Sequence, residues 1–330
     1  MVQGMDAHSA LTDSVGRRID YLRISLTERC DLRCAYCRPA SGPAAAREDV
    51  LTADDVVAIV EAAVGLGVRR IRLTGGEPLL RPDLEEIVRR VRAIAGVEDL
   101  ALTTNGQMLA GRAAGLAAAG LMRVNISLDS LDPKVYATLT GGGDVGNVLR
   151  GFDAALAADL RPVKINVVLA SPSALDRADL AGFAELARRR PVHVRFIEAM
   201  PTCGHLSYLP AHEVLDRFAQ MGELHPVPGP AGGGPARYFQ LDDSAGTLGL
   251  IAPISEPFCA QCNRLRVTAR GEVIPCLFSS SGVSLLPALR GSDVTGEIGG
   301  LLRKATAAKP CRYADVADPA GIRAMHVIGG

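Results

Sequence analysis

The stretch YLRISLTERCDLRCAYCR, residues 21–38, joins a short apolar run to three closely spaced cysteines. The run 21–26 is typical of a buried β-strand. Cys30, Cys34 and Cys37 follow it with the spacing C-x3-C-x2-C. Thiolates are preferred ligands of iron–sulfur clusters, and they also bind zinc. A cube of four irons needs four ligands, so three cysteines would leave one iron open to a substrate or cofactor.

A zinc site is the alternative for these three cysteines. Structural zinc sites usually pair their cysteines as C-x2-C and complete a tetrahedron with a fourth ligand nearby. After Cys37 the next His or Cys in the chain is His193. The spacing therefore favours an iron–sulfur cluster over zinc.

The composition describes an ordinary globular chain without a global charge. It has 330 residues, of which 48% are hydrophobic and 22% charged, and its formal net charge is zero. Such a chain exerts no overall attraction on nucleic acid or on an anionic membrane. We expect neither as a partner, and any site for a polyanion must be a local cluster of cations.

The cysteines and the chain start predict a cytoplasmic protein with reduced thiols. Eight cysteines in a chain of 330 residues are too sparse for a secreted disulfide framework, which is typical of small domains. Residues 1–18 lack the apolar core of a signal peptide. No apolar run approaches the roughly 18 residues of a membrane span. Cys203 and Cys311 have no predicted role.

Short apolar runs alternate with amphipathic stretches from residue 21 to residue 198. Strands are predicted at 21–26, 69–74, 98–104, 122–128, 163–169 and 192–198. Helices are predicted near 53–65, 83–94, 107–119, 147–159 and 174–188. Such βα alternation predicts an α/β fold with a parallel sheet, and six units are two short of a closed eightfold barrel. An open, partial (βα)6 barrel is the expectation.

The pattern changes after residue 200. Residues 226–235, PVPGPAGGGP, predict a loop, and short strands follow at 237–241, 247–252, 264–269 and 272–277. A helix is predicted near 296–307. We expect this α+β extension to cap the open side of the barrel.

Residues 21–38 resemble the cluster segment of radical S-adenosylmethionine enzymes. From about residue 17 to Gly330 the chain is similar, more narrowly, to the GTP 3′,8-cyclase family of molybdenum cofactor biosynthesis. The resemblance implies a TIM-like partial barrel at 17–200, after a tail at 1–16, and a C-terminal extension at 201–330 with a second iron–sulfur cluster and a Gly-Gly tail. In that superfamily S-adenosylmethionine binds the open iron and is cleaved to a 5′-deoxyadenosyl radical.

A second cysteine group, Cys259, Cys262 and Cys276, has the spacing C-x2-C-x13-C. On spacing alone it could be a structural zinc site completed by Cys311 or His326. The surrounding sequence, FCAQCNRLRVTARGEVIPCLF, is similar to the second-cluster segment of GTP 3′,8-cyclases. The resemblance implies a [4Fe–4S] cluster there as well, with one iron free for the guanine ring of GTP.

Polar residues gather where the predicted strands end, and this is where parallel βα folds place their functional groups. Thr74-Gly75-Gly76-Glu77-Pro78 follows the second strand, and its glycines permit close backbone approach while Glu77 offers a carboxylate to an ammonium group. Lys164 lies inside an apolar run, where a charge is costly without a partner. Arg264 and Arg266, two residues apart in an extended segment, would form a fork for phosphate oxygens.

The resemblance also implies roles for individual residues. Tyr36, Gly76, Glu77, Ser127 and Met200 correspond to S-adenosylmethionine contacts. Arg23, Arg72, Thr103, Lys164, Arg264, Leu265 and Arg266 correspond to GTP contacts. Cys30, Cys34, Cys37 and Arg195 are the predicted catalytic set. The tail at Gly329-Gly330 would enter the active site, and His326 stands where the family usually has a small polar residue.

The implied reaction is abstraction of the ribose 3′ hydrogen of GTP, attack of that carbon on guanine C8, and reduction to (8S)-3′,8-cyclo-7,8-dihydro-GTP. The implied partners are a downstream cyclic pyranopterin monophosphate synthase and an electron donor of flavodoxin or ferredoxin type, with the enzyme a monomer or homodimer. Two alternatives remain: another radical enzyme with an auxiliary cluster that acts on a peptide, and a zinc-stabilised binding protein without enzymatic activity.

Two motifs can be set aside. Gly141, Gly143 and Gly146 match the dinucleotide fingerprint G-x-G-x-x-G, which requires a strand directly before it. The preceding residues, PKVYATLT, predict a helix. The chain also lacks the P-loop sequence and the H-E-x-x-H zinc motif.

Overall fold

A computed structural model describes residues 10–37, 50–169, 179–200, 210–242, 244–316 and 323–329. Its first half is the predicted alternation of strands and helices. The strands are β1 Tyr21–Ser25, β2 Arg70–Thr74, β3 Asp99–Thr104, β4 Arg123–Ser127, β5 Val163–Leu169 and β6 Val192–Glu198. The helices are α1 Ala53–Gly65, α2 Leu84–Ala93, α3 Leu109–Ala118, α4 Pro133–Thr140, α5 Val145–Ala157 and α6 Leu180–Arg189.

All six predicted strands are confirmed to within one residue at either end. The helix predicted near 174–188 corresponds to α6, and its first residues, up to 178, lie outside the described ranges.

The helices begin where local hydrogen bonding favours them. Before α1, the Thr52 side chain accepts from the Asp55 N–H at 3.2 Å and the Asp55 carboxylate accepts from the Thr52 N–H at 2.9 Å, which forms a capping box. Helix α4 ends at Gly141, whose left-handed φ of 69° terminates it. The rejected dinucleotide motif therefore follows a helix, as its sequence predicts.

The second half adds strands and helices after residue 200. The strands are β7 Leu224–Val227, β8 Arg237–Leu241, β9 Thr247–Ile251, β10 Arg264–Val267, β11 Glu272–Ile274 and β12 Val283–Ser284. The helices are α7 Ala211–Ala219, α8 Leu286–Leu289, α9 Val294–Ala307 and α10 Met325–Ile328. The predicted loop at 226–235 is wrong at its start, because Pro226 and Val227 belong to β7 and pair with β8.

All twelve strands form one sheet in the order β12-β11-β10-β1-β2-β3-β4-β5-β6-β9-β8-β7. β10 pairs in parallel with β1, and β9 pairs in parallel with β6. Eight adjacent strands, from β10 to β9, are therefore parallel. The extension adds one parallel strand to each edge of the six-stranded βα sheet, which the prediction of a cap did not include.

Helices pack on this sheet, and the apolar core lies between the two layers. The N-terminal segment joins this core, since Leu11 is 1% exposed and Thr12 bridges Arg18. None of the helices in the described residues has the length and apolar composition of a membrane span.

The turn before β9 generates a prediction. The Gly246 N–H donates to the Ala187 carbonyl at 2.7 Å, and a Cβ on Gly246 would overlap the Val192 carbonyl oxygen. Since this contact seats β9 beside β6, we expect Gly246→Ala to lower the free energy of unfolding by about 2 kcal/mol or more. Urea unfolding of the apoprotein measures it.

Gly300 is the matched control. It lies in α9, and nothing outside the backbone of its own helix comes within 4 Å of the position that a Cβ would occupy. Gly300→Ala should therefore be neutral or should stabilise by about 0.5–1 kcal/mol. Equal stability of the two variants would contradict the account of the β6–β9 junction.

Candidate active site

A cavity of about 300 Å³ is lined by one face of the parallel sheet, with one cysteine group at each end. Cys30, Cys34 and Cys37 follow the C-terminal end of β1. Cys259 and Cys262 precede the N-terminal end of β10. Because β1 and β10 are parallel neighbours, the two groups lie at opposite ends of the barrel.

The first cysteine group is held by a tight turn and by a buried hydrogen-bond chain. The Cys37 N–H donates to the Cys34 carbonyl at 3.0 Å. The Tyr36 hydroxyl donates to Asp129 at 2.6 Å, and the same carboxylate accepts from the Val168 N–H at 2.8 Å. Burial raises the pKa of Asp129 to about 6, and burial together with that carboxylate raises the pKa of Tyr36. These two hydrogen bonds fix the cysteine loop to the ends of β4 and β5.

The second cysteine group lies on a 3-10 turn and a neighbouring strand. The Cys262 N–H donates to the Cys259 carbonyl at 3.1 Å, and Cys276 follows β11. Burial raises the pKa of Cys262, but the positive charges of Arg264 and Lys309 outweigh it and lower that pKa to about 7. The thiol at this position is therefore prepared to act as a thiolate ligand.

Between the two ends, arginines form a row across three strands. Arg23 on β1 is in register with Arg266 on β10 and with Arg72 on β2. Residues in register on parallel strands point to the same face of the sheet. All three line the cavity, as do Arg195 and Arg264.

Neutral groups, rather than carboxylates, are the hydrogen-bond acceptors of the buried arginines in this cavity. Arg72 donates to the Tyr21 hydroxyl and, at 3.3 Å, to Thr103. Arg195 donates to Asn166 at 3.0 Å. Burial and the charge of neighbouring arginines lower the pKa of Arg72 and of Arg266 to about 10. Mutual repulsion inside a buried site makes an anionic ligand favourable, because an anion would relieve it.

The C-terminal tail reaches the same row. Arg266 donates to the carbonyls of Ile328, at 3.3 Å, and Gly329. Gly329 has a φ of 70°, and a Cβ on it would overlap the Thr74 methyl group. Only glycine fits there, and the described part of the tail contacts the arginine row through Ile328 and Gly329. Gly330 and Cys203 lie outside the described residues.

Most of the predicted site residues meet in this cavity. They are Arg23, Cys30, Cys34, Tyr36, Cys37, Arg72, Gly76, Thr103, Ser127, Arg195, Met200, Cys259, Cys262, Arg264, Arg266 and Cys276. Three predicted residues are not among its lining residues: Glu77, Lys164 and Leu265. Leu265 alternates with the two arginines of β10 and packs into the hydrophobic core.

Glu77 lies behind the cavity wall. Its carboxylate accepts from the N–H groups of Leu79 at 2.9 Å and Asn105 at 2.7 Å, and from the Thr104 hydroxyl at 2.8 Å. Burial raises its pKa to about 7 despite these bonds. The contacts join the glycine loop after β2 to the loop after β3. A Cβ on Gly76 would overlap the Arg29 carbonyl, so the glycine is required for the approach of that loop to the cysteine segment.

Lys164 is fully buried below the cavity. Its ammonium group donates to the Ala231 carbonyl at 2.9 Å, and Arg123 donates to the next carbonyl, that of Gly232, at 3.4 Å. Residues 229–235 thus close the barrel beneath β4 and β5, and Gly233 and Gly234 line the cavity from that side. The glycine-rich segment is a plug whose carbonyls accept from the buried side chains of Lys164 and Arg123, while most of its own residues are exposed.

Tyr21 and Lys309 are among the cavity residues that sequence reasoning missed. Tyr21 lies two residues before Arg23 on β1, so strand alternation puts both on one face and could have identified it. Lys309 is one of four lysines in a chain that otherwise uses arginine. That scarcity was its only signal.

The two cysteine groups suit an inorganic cluster at each end. Among the described residues, no three His, Cys, Asp or Glu side chains converge closely enough to hold a single metal ion. Zinc, with Zn–S bonds of about 2.3 Å, draws its thiolates close together. Six partly buried thiols that form no disulfide and line one cavity instead match the donor set of two iron–sulfur cubes.

Comparison with known proteins agrees with this geometry. Residues 24–172 match the family model of the radical SAM superfamily, and residues 192–315 match that described as Molybdenum Cofactor Synthesis C. The chain is 45% identical over 327 residues to the GTP 3′,8-cyclase of Pelotomaculum thermopropionicum, covering 97% of this chain and 100% of the relative. It is 44% identical to that of Geobacter sulfurreducens, covering 97% and 99%.

The chain belongs to the GTP 3′,8-cyclase family.

Solved structures add support for the radical SAM fold. Streptococcus suis SuiB bound to its precursor peptide SuiA superposes with a TM-score of 0.58 at 17% identity, over 90% of this chain and 72% of SuiB. Another SuiB structure gives a TM-score of 0.56 at 16% identity, and there the match covers 79% of this chain and 60% of SuiB. At this identity the likeness concerns the fold alone.

Lys164 generates a prediction on pH. Burial, with the charges of Arg195 and Arg123, lowers its pKa from 10.5 to about 6. Between these values the unfolded chain binds more protons than the folded one, so the free energy of unfolding rises with pH, by at most about 1.4 kcal/mol per pH unit. This stability is lost as the pH falls towards 6. Lys164→Met should flatten that slope.

The measurement is urea unfolding of the apoproteins across this pH window, compared with Lys134→Met, which changes an exposed lysine. Subtracting parent from variant removes the titration of groups that the variants share. An unchanged slope in Lys164→Met would show that the buried ammonium does not contribute.

Proposed function

We propose that this protein converts GTP to (8S)-3′,8-cyclo-7,8-dihydro-GTP with S-adenosylmethionine and two [4Fe–4S] clusters. This is the first step of molybdenum cofactor biosynthesis. The observation that carries the proposal is the cavity with a cysteine triplet at each end and buried arginines between them. A cluster site at each end and a binding site for a polyanion between them, all in one cavity, match a reaction between S-adenosylmethionine and a nucleoside triphosphate.

Each cysteine group would hold one cluster through three thiolates. Cys30, Cys34 and Cys37 would hold the cluster at the C-terminal end of the barrel, where it supplies the electron that cleaves S-adenosylmethionine when bound. Cys259, Cys262 and Cys276 would hold the cluster at the other end, next to Arg264. The protein's own task is to bind both substrates between them and to exclude water.

The residues at the first end would orient S-adenosylmethionine. Gly76 lets the loop after β2 approach the cysteine segment without a side chain in the way. The Tyr36–Asp129 hydrogen bond fixes the aromatic ring beside the cysteines. Ser127 and Met200, at the ends of β4 and β6, line the same end of the cavity. Glu77 would act through the loop that it ties down, since its carboxylate is engaged by three donors.

The arginine row would bind the triphosphate. Arg23, Arg72 and Arg266 stand side by side on three strands, with Arg195 on β6. Charge-assisted hydrogen bonds from guanidinium groups to phosphate oxygens are strong and directional. Because the ring of guanine would lie at the second cluster, the ribose would fall between the two ends, facing the radical formed at the Cys30–Cys37 end. Lys164, behind the wall, would become charged when the triphosphate binds, because a nearby anion raises the pKa of a buried lysine.

From the family membership we further propose the partners and the location of the enzyme. The product would pass to a cyclic pyranopterin monophosphate synthase, and a flavodoxin or ferredoxin would supply electrons. The seven cysteines in the described residues form no disulfide, in keeping with a cytoplasmic location. Monomer and homodimer are both compatible with this site, since one chain supplies every residue named.

The function is tested on anaerobically purified, reconstituted protein. We expect about eight irons per chain, no zinc, and consumption of GTP with formation of 5′-deoxyadenosine when S-adenosylmethionine and dithionite are added. A variant with Cys259, Cys262 and Cys276 changed to alanine should keep slow cleavage of S-adenosylmethionine and lose GTP conversion. Zinc alone, or iron without GTP consumption, would overturn the proposal, the second result favouring a peptide-modifying enzyme.

The arginine row predicts a selective loss of triphosphate binding. Arg72→Gln keeps a donor for the Tyr21 hydroxyl but removes the charge, so GTP affinity should fall about tenfold or more while guanosine affinity stays unchanged. Calorimetry on the reconstituted protein without S-adenosylmethionine measures both. Arg189→Gln, at an arginine whose side chain is 77% exposed, is the control. Equal losses for GTP and guanosine would contradict a phosphate role.

A further inference from the structure

Two buried cations outside the arginine row converge on the second cysteine group. Arg17 comes from the N-terminal segment and is 8% exposed; Lys309 follows α9 and is 4% exposed. Arg17 contacts the short segment 309–311, and Lys309 belongs to it. Both also donate to backbone carbonyls in the segments that carry the three cysteines. We call this pair of side chains the clamp.

Arg17 holds the first of the three cysteine-bearing segments. One of its terminal nitrogens donates to the Cys259 carbonyl at 2.7 Å and to the Cys311 carbonyl at 3.1 Å. The other donates to the Pro310 carbonyl at 2.6 Å. A single planar guanidinium therefore joins the 3-10 turn of Cys259 to segment 309–311. Its geometry fixes both at once.

Lys309 holds the other two. Its ammonium group donates to the Arg264 carbonyl at 2.9 Å and to the Pro275 carbonyl at 2.7 Å, directly before Cys276. Its charge also lies close enough to the Cys262 and Cys276 thiols to interact with both. Two of the three donors of the ammonium group are thus used on β10 and on the segment after β11. Together, Arg17 and Lys309 reach all three cysteine-bearing segments.

The two cations differ in electrostatic compensation. Arg17 forms an ion pair of 2.5 Å with Asp13, whose side chain is fully buried. In the part of the chain that the structure describes, no carboxylate forms an ion pair with Lys309. Its hydrogen-bond acceptors are two carbonyls, and the nearby thiols of Cys262 and Cys276 would be thiolates in the loaded protein. Of the two, only Lys309 therefore presents an uncompensated positive charge to this end of the cavity.

We propose that the clamp positions the three ligands of the second cluster, and that the Lys309 charge raises the reduction potential of that cluster. The proposal rests on the proposed function, in that Cys259, Cys262 and Cys276 hold a [4Fe–4S] cluster. One-electron reduction adds a negative charge to the cluster, and a buried cation beside the ligand sulfurs stabilises the reduced form more than the oxidised one. Arg17, neutralised by Asp13, has a positioning role alone.

The test isolates the second cluster. In a background with Cys30, Cys34 and Cys37 changed to alanine, only the second cluster can form, and its iron content and reductive titration followed by electron paramagnetic resonance report on it alone. The variants are Lys309→Met, Lys309→Arg and Arg17→Met. Lys304→Met and Arg18→Met, at exposed neighbours, are the matched controls.

We expect Lys309→Met to retain less than half of the background iron and to shift the potential of the remaining cluster to more negative values. Lys309→Arg should restore the potential, since it keeps the charge, and part of the iron. Arg17→Met should lose iron with little change in potential. The controls should match the background.

Each contrary result has a distinct meaning. If the background protein binds no iron after reconstitution, the proposed function fails at this end and the clamp fails with it. If the background binds about four irons and the clamp variants bind as many at the same potential, the clamp is overturned while the function stands. Iron loss without a potential shift in Lys309→Met would overturn the electrostatic part of the proposal.

Discussion

The parallel ladder between β1 and β10 is the constraint on which the rest of the structure depends. It joins the first strand of the barrel to a strand about 240 residues later, with Arg23 opposite Arg266. Since parallel strands run in one direction, the cysteines after β1 and those before β10 come to opposite ends of one cavity. Without this pairing, neither the two-ended site nor the arginine row across β10, β1 and β2 would exist.

Buried positive charge is the second organising feature, in a chain whose net charge is zero. Three of the buried basic side chains donate to neutral oxygens rather than to acids: Lys164 to the plug at 229–235, Arg266 to the tail, Lys309 to two carbonyls. Carbonyl dipoles lower the cost of burial without cancelling the charge. The cavity therefore keeps a positive field for an anionic ligand, and this field could not be inferred from overall composition.

The sequence predicts the six βα units well, because short runs rich in apolar residues alternate regularly with amphipathic stretches of helical length. It does not predict the neighbours of β9 and β10, since strand periodicity carries no information on which edge a strand joins. The cysteine spacings identify the donor sets directly. Glu77 and Lys164 show the limit of motif reasoning: both residues lie beside the site, but only packing determines that their side chains point behind its wall. Arg17 and Lys309 donate to backbone carbonyls. Every residue type carries such a carbonyl, so the sequence does not reveal which residues these two side chains contact.

The central claim is that one cavity brings the 3′ carbon of GTP to a radical generated at the Cys30–Cys37 end. The most direct test is one turnover with GTP carrying deuterium at the ribose 3′ position, followed by mass spectrometry of the 5′-deoxyadenosine formed. The account predicts one deuterium in that product, together with loss of GTP. Formation of 5′-deoxyadenosine without deuterium, while GTP remains intact, would contradict it.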